Sequence, residues 1–246
     1  MTNPLDSTQY TLTSILKYER IYGHNFISPG GLESTREMVS RLGLRPGMRV
    51  LDVGSGMGGA AFYMAQTFGV QVHGVDFSRN MVTLAEARLQ ELALGTRVTF
   101  AYGDILESDF HEAFDLVYSR DAFLHIHDKP RLFHILYRAL KAQGQLFFTD
   151  YCRGDGEMSE AFRAYVAERG YDLHTPRGYG NLLAQAGFTD VVAEDKSKAF
   201  GEILRQELAR VPEEASMMAI RRSWEEKLAR NARGEQGWGW FWARKP

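Results

Sequence analysis

The sequence predicts a doubly wound α/β fold with a mostly parallel sheet, and three observations carry that prediction. Short, nearly all-apolar runs recur along the chain, "MRVLDVG", "VQVHGVDFS", "FDLVYSRD" and "GQLFFTDY" among them, as strands buried on both faces require. Segments with helical spacing separate these runs, so the connections are right-handed crossovers and the strands parallel. A glycine loop, "GSGMGG", joins the first of these strands to the helix after it. The 246 residues, 44% hydrophobic and 24% charged, suit one soluble domain with a sizeable core.

The elements follow in order. Residues 8–22, "TQYTLTSILKYERIY", read as a helix opened by a threonine N-cap. After the loop "GHNFISPGG" a second helix runs from about 32 to 43 and stops at Gly43 and Pro46. The first strand, the glycine loop and a helix to about 68 form the first unit. "VQVHGVDFS" and a helix over 79–94 form the second. "RVTFAYGDI" and "FDLVYSRD" are the third and fourth strands, followed by a helix over 129–141 and "GQLFFTDY". Helices near 157–169 and 177–186 precede the strand "FTDVVAEDK". A charged helical region spans roughly 200–231, and "WGWFWARK" alternates like a closing strand. We divide the single domain into N-terminal lid helices (1–45), a cofactor-binding core (46–151) and acceptor-site helices with closing strands (152–246).

A formal net charge of −2 gives no electrostatic case for nucleic acid or an anionic membrane. No run approaches the length of a membrane span, and "MTNPLDSTQY" does not read as a signal peptide. The single cysteine, Cys152, excludes an intrachain disulfide and suits a reducing cytoplasm.

Ligands of such sheets bind at the carboxyl ends of the strands, where strand order reverses. Gly54, Asp76, Asp104, Arg120 and Tyr151 all fall at strand ends. Gly54, Ser55, Gly56 and Gly59 belong to a turn that lets a ligand reach backbone amides and a helix N-terminus. Asp76, 20 residues past Gly56, is placed to accept both ribose hydroxyls. This spacing also fits a dinucleotide, but Asp52 would sit awkwardly beside a pyrophosphate and suits the cationic methionine portion of S-adenosylmethionine (SAM). Asp104 is placed to accept from an adenine amino group, or else caps its strand end.

The run "VLDVGSGMGG…VHGVDFS…GDIL…FDLVYSRD…LFFTDY" resembles the class I SAM-dependent methyltransferases, whose fold is Rossmann-like. More narrowly, "QYT", "ISPGGLE", "YSRDAFLH", "TDYC" and "AYVAERGY" resemble the phosphoethanolamine N-methyltransferase family, from Gln9 to Trp240. The resemblance implies SAM contacts from Ile27, Ser28, Gly54, Ser55, Gly56, Asp76, Phe77, Asp104, Ile105 and Arg120. It implies that Gln9, Tyr18, Asp121, Tyr151, Tyr165, Arg169 and Tyr171 hold a phosphobase, and that Tyr10 and His125 are the catalytic pair. The expected product is phosphocholine. The expected partners are this small amine and SAM, with no nucleic acid, no membrane insertion and a monomeric state.

The chemistry matches the residue types. A primary amine, with a pKa of ~10, is protonated at neutral pH and has no lone pair to methylate. His125, expected to titrate near neutrality, suits the role of base. Asp121, four residues earlier, suits a counter-charge for the growing ammonium. Without the resemblance, a cap for the helix beginning near Asp128 is the favoured reading of His125, and "HIH" is a poor zinc ligand set. Tyr165 and Arg169 share a helix face at i, i+4, and a guanidinium fork with phenols suits a phosphate. Where the family carries a phosphate-binding lysine in its closing strand, this chain is expected to have Trp242. That departure leaves open another small amine or natural product as acceptor. A nicotinamide-dependent oxidoreductase and a non-catalytic SAM-binding module are the readings from other classes.

Overall fold

The computed structural model describes residues 4–246. Its N-terminal segment comprises α1 (Pro4–Ser7), α2 (Leu12–Tyr22) and α3 (Gly31–Ser40). Alternating units follow: β1 (Arg49–Val53), α4 (Gly59–Phe68), β2 (Gln71–Asp76), α5 (Arg79–Glu91), β3 (Val98–Tyr102), β4 (Phe114–Arg120), α6 (Lys129–Ala139) and β5 (Leu140–Arg153). The remainder is α7 (Glu160–Arg169), α8 (Pro176–Gln185), β6 (Thr189–Asp195), α9 (Ser197–Arg210), α10 (Met218–Ala232) and β7 (Gln236–Arg244).

The seven strands form one sheet in the order β3-β2-β1-β4-β5-β7-β6. Strands β1 to β5 pair in parallel, and β7 runs antiparallel between β5 and β6. The expected doubly wound, mostly parallel α/β architecture is the observed one. Period-2 alternation sends successive side chains to opposite faces, so each strand feeds two cores. Leu116, Tyr118, Phe147, Trp238 and Trp240 enter one core, and Val117, Leu146, Phe148 and Phe241 the other. Strand order reverses between β1 and β4, where Val53 pairs with Ser119. The carboxyl ends of the strands therefore splay open at this point.

Several boundaries differ from the sequence expectation for local reasons. The helix expected at 8–22 begins four residues later, as α2 at Leu12, and the short α1 precedes the expected range. Thr11, not Thr8, is the N-cap of α2, accepting from Ser14 N at 3.2 Å, which leaves Gln9 and Tyr10 in the turn before it. The region expected as one helix over 200–231 breaks into α9 and α10. Pro212 disfavours helical geometry at the residue before it, and Val211 is extended at φ −64, ψ 121. α6 stops at Ala139, and β5 begins directly at Leu140, with a register shift between Phe114 and Leu116.

Candidate active site

At the switch point lies a cavity of about 720 Å³. Its floor is the β1–α4 turn. Gly54 adopts φ 71, a left-handed conformation that disfavours side chains. A Cβ there would also lie 2.3 Å from the Cβ of Ala122, so the turn closes only with glycine. The 19 residues expected at the site, from Gln9 to Tyr171, all line this one cavity, which brings three distant stretches of chain together.

On the cofactor side, Asp76 ends β2 and accepts from Gly56 N and Ser78 N, both at 2.8 Å. Each oxygen has a further lone pair with which to accept. Burial raises this carboxyl to about 6, against the lowering effect of those two amides. Asp52 is 2% exposed, and its Oδ2 has no hydrogen-bond partner among the described residues. Burial, then the neighbouring Asp76, pushes it up to about 7, with Arg120 opposing. A buried carboxylate without a partner is costly, and a cationic ligand would relieve that cost. The orphaned Ser55 Oγ lines the same floor. These residues fit a ligand bearing ribose hydroxyls and a positive charge. Asp104 lines the cavity and also acts as a cap, its Oδ1 accepting from Leu106 N at 2.9 Å.

Arg120 shows a role that sequence reading missed. Its Nη atoms donate to Pro29 O, Gly31 O and Thr35 Oγ1 at 2.6, 3.1 and 2.6 Å. It thus clamps the loop carrying Ile27 and Ser28 over the cavity.

Across the cavity, Tyr10 Oη lies 2.9 Å from His125 Nε2, their rings edge to face at 5.9 Å. The helix after His125 is capped by Asp128, which accepts from Arg131 N. The capping alternative for His125 therefore fails. The expectation of titration near neutrality fails as well: burial, then the charges of Arg169, Lys129 and His127, lower the imidazole to about 4. Tyr10 is raised in turn, chiefly by burial and then by Asp76.

Asp121 sits at φ 51, a conformation that aspartate tolerates better than most side chains. Its Oδ1 accepts from Trp238 Nε1 at 2.7 Å and Thr149 Oγ1 at 3.1 Å. Its buried Oδ2 has no hydrogen-bond partner among the described residues. Burial raises this carboxyl despite Arg120 and the two donors. Trp238 is not among the site residues expected from the sequence, and its hold on Asp121 adds it to them.

At the far end, Arg169 lies 5.6 Å from the ring of Tyr165 and hydrogen-bonds Tyr18. Tyr171 meets His125 and Tyr165 at 5.2 and 6.0 Å. Sequence reading misplaced the second cation here. Trp242 is not a cavity residue but packs on Phe147 at 4.9 Å and Trp240 at 6.0 Å, so the changed acceptor pocket inferred from it does not exist. The cation is Lys227 of α10, 6% exposed, with Nζ 3.3 Å from Tyr151 Oη. Burial lowers it to about 8, against the pull of Glu207. The sequence carried no signal for it, because Lys227 is one of many charged residues in α10 and its burial shows only in the fold.

Comparison with known proteins agrees with this arrangement. A family described as "Methyltransferase domain" matches residues 44–187. Phosphoethanolamine N-methyltransferase 1 of Arabidopsis thaliana is 44% identical over 98% of this chain and 51% of its own. The chain thus spans about half the length of such relatives. Phosphoethanolamine N-methyltransferase of Plasmodium falciparum is 35% identical, over 98% of this chain and 95% of its own. The solved structure of Haemonchus contortus phosphoethanolamine N-methyltransferase 2, in complex with phosphomonomethylethanolamine and S-adenosylhomocysteine, superposes with a TM-score of 0.95. It is 39% identical over 98% of this chain and 59% of its own. With a matched domain, a full-length relative and a cavity built from the residues the motifs singled out, the chain belongs to the phosphoethanolamine N-methyltransferase family.

Proposed function

We propose that this chain is a SAM-dependent N-methyltransferase that converts phosphoethanolamine and its mono- and dimethyl forms toward phosphocholine. The observation that carries the reading is one cavity with a carboxylate-lined cofactor end, a Tyr10–His125 pair at its middle and two cations, the half-buried Arg169 and the buried Lys227, at the other end. Two cations among phenols match a phosphate dianion, because guanidinium and ammonium supply charge-assisted hydrogen bonds.

Bound SAM supplies an electrophilic methyl group at the switch point. Asp76 would hold its ribose hydroxyls, Asp104 its adenine, and Asp52 with Ser55 its methionine portion. Arg169, Lys227 and the tyrosines fix the phosphate, which aims the amine along the cavity toward His125. Tyr10 and His125 take one proton from the ammonium and free its lone pair. The anionic phosphate beside Arg169 offsets a charge that depresses His125, so substrate binding makes this base stronger. The Asp121 Oδ2, without a partner among the described residues, would balance the charge that methylation places on nitrogen. The rings of Tyr10, Tyr165 and Tyr171 accept a methylated ammonium through cation–π contact, worth about 0.5–2 kcal/mol each. Alignment inside the covered cavity supplies much of the acceleration.

We place the enzyme in the cytoplasm as a monomer, with lid, core and acceptor segments acting as one domain. The support is the single, buried Cys152, which suits a reducing compartment, and a cavity to which the lid, core and acceptor segments all contribute residues. Among the described residues no helix is long and apolar enough to cross a membrane.

Mass spectrometry of products from SAM with phosphoethanolamine, its mono- and dimethyl forms, ethanolamine and glycine tests the proposal. Methylation of the three phosphorylated amines over ethanolamine is expected. Equal turnover of ethanolamine would remove the phosphate from the reading.

A further inference from the structure

The loop that covers the cofactor end is held from two sides by opposite charges. Arg120 takes the carbonyl oxygens of Pro29 and Gly31. The amide between them, Gly30 N, donates to Glu207 Oε1 at 2.7 Å. Gly30 adopts φ 74, and a Cβ there would fall 1.8 Å from Ser34 Oγ, so this tight approach depends on glycine.

Glu207 belongs to α9 and is 2% exposed. Its second oxygen does not serve the cofactor side at all. Oε2 accepts from Trp224 Nε1 of α10 at 3.0 Å. Trp224 in turn lies 4.5 Å beneath the ammonium of Lys227, and both residues line the phosphate end of the cavity. One buried carboxylate therefore touches the backbone over the cofactor and the helix that presents the phosphate cation. A shift of either element disturbs the hydrogen bond that the other makes. A buried acceptor that loses a donor carries the full desolvation penalty, so the two elements favour moving together.

We propose that Glu207 is a positioning residue that couples the two halves of the site, so that occupancy of the cofactor side tightens binding of the phosphobase. This rests on the function proposed above, with SAM at one end and a phosphorylated amine at the other. Glu207 touches neither ligand. It acts through Gly30 and Trp224.

The test is calorimetric, on the full chain. S-Adenosylhomocysteine and phosphoethanolamine are titrated separately, and phosphoethanolamine again with S-adenosylhomocysteine saturating. In the wild type the second ligand is expected to bind about tenfold more tightly than alone, within the usual range for coupled sites, and the reciprocal titration must give the same factor. Glu207→Gln keeps the shape but replaces one acceptor with a donor. It is expected to bind S-adenosylhomocysteine within about threefold of wild type while the coupling factor falls below about two. Trp224→Phe removes the other donor and should abolish the coupling by itself, deciding the matter if Glu207→Gln does not fold. A merely structural role would weaken the ligands without changing the ratio. A folded variant of either kind with wild-type coupling, or a wild type that binds both ligands independently, overturns the proposal. A wild type that binds neither ligand would instead sink the functional reading beneath it.

Discussion

At the scale of single residues, burial decides which charges are available. His125 is held neutral well below the physiological range, so its protonated form does not limit the free enzyme between pH 5 and 7.5. It is available as an acceptor throughout, and His125→Ala should lower kcat by about 10²–10⁴-fold, the usual contribution of a positioned base. Because Tyr10 bonds the same imidazole, Tyr10→Phe and His125→Ala should be less than additive in the double mutant. Full additivity would show that the pair does not act as a unit. Lys227 gives the alkaline limit. Its pKa is lowered to about 8, so it is charged below that pH and loses its charge as pH rises through it. kcat/KM for the phosphobase should therefore fall above pH 8, and Lys227→Met should raise KM at pH 7 by tenfold or more while removing that limb, given that charged hydrogen bonds contribute about 1.5–3 kcal/mol. An unchanged limb in Lys227→Met would assign it to another group.

At the scale of elements, the N-terminal segment is fastened by contacts that no local pattern announces. Asp6 accepts from Ser78 Oγ and from Arg79 N, where its charge faces the N-terminus of α5. Asn80 donates to the carbonyl oxygens of Asp6 and Tyr10 at 3.3 and 2.8 Å. Asn80 is not a cavity residue, yet it holds the turn that carries Tyr10. Asn80→Ala should speed S-adenosylhomocysteine release about tenfold, each such hydrogen bond contributing about 0.5–1.5 kcal/mol. Stopped-flow dissociation reads this directly, and an unaltered rate would show that lid opening does not gate release. The strands and glycine turn were legible because their patterns are local: apolar runs, a Gly-rich junction and an aspartate at the next strand end. Arg120 on the 29–31 loop, Glu207 on Gly30 and Trp238 on Asp121 join residues 70 or more positions apart in sequence, as the Asp6 and Asn80 contacts do. Spacing says nothing of such partners. The Trp242 error has the same source: a cation was sought in the closing strand, where the alternation is one of packing, while α10 delivers Lys227 across the top of the sheet.

At the scale of the whole molecule, the sheet's switch point concentrates carboxyl groups whose ionisation is unfavourable until a cation arrives. Asp52 and Asp76 are raised by burial to about 7 and 6, and Asp150, which Tyr179 hydrogen-bonds beneath the sheet, to about 8. Groups raised in the folded state bind more protons there than in the unfolded chain. Their contribution to stability is complete below the ordinary carboxylate range and is lost as pH rises through 6–8. A cationic ligand beside Asp52 reverses this for that residue, because the ionised form then has a partner. With a pKa of about 7, Asp52 is roughly one-tenth ionised at pH 6 and nine-tenths at pH 8. A ligand that requires the ionised form should gain up to about tenfold in affinity over that interval. SAM bears a sulfonium, whereas S-adenosylhomocysteine bears a neutral thioether. The ratio of their affinities should therefore rise with pH from 6 to 8, and SAM binding at pH 6.5 should release protons, visible as a dependence of the calorimetric heat on the buffer. Asp52→Asn resembles the protonated side chain and should flatten the ratio while S-adenosylhomocysteine still binds. A ratio that rises equally in Asp52→Asn would move the counter-charge to Asp76, whose pKa of about 6 would place the midpoint of the rise one unit lower.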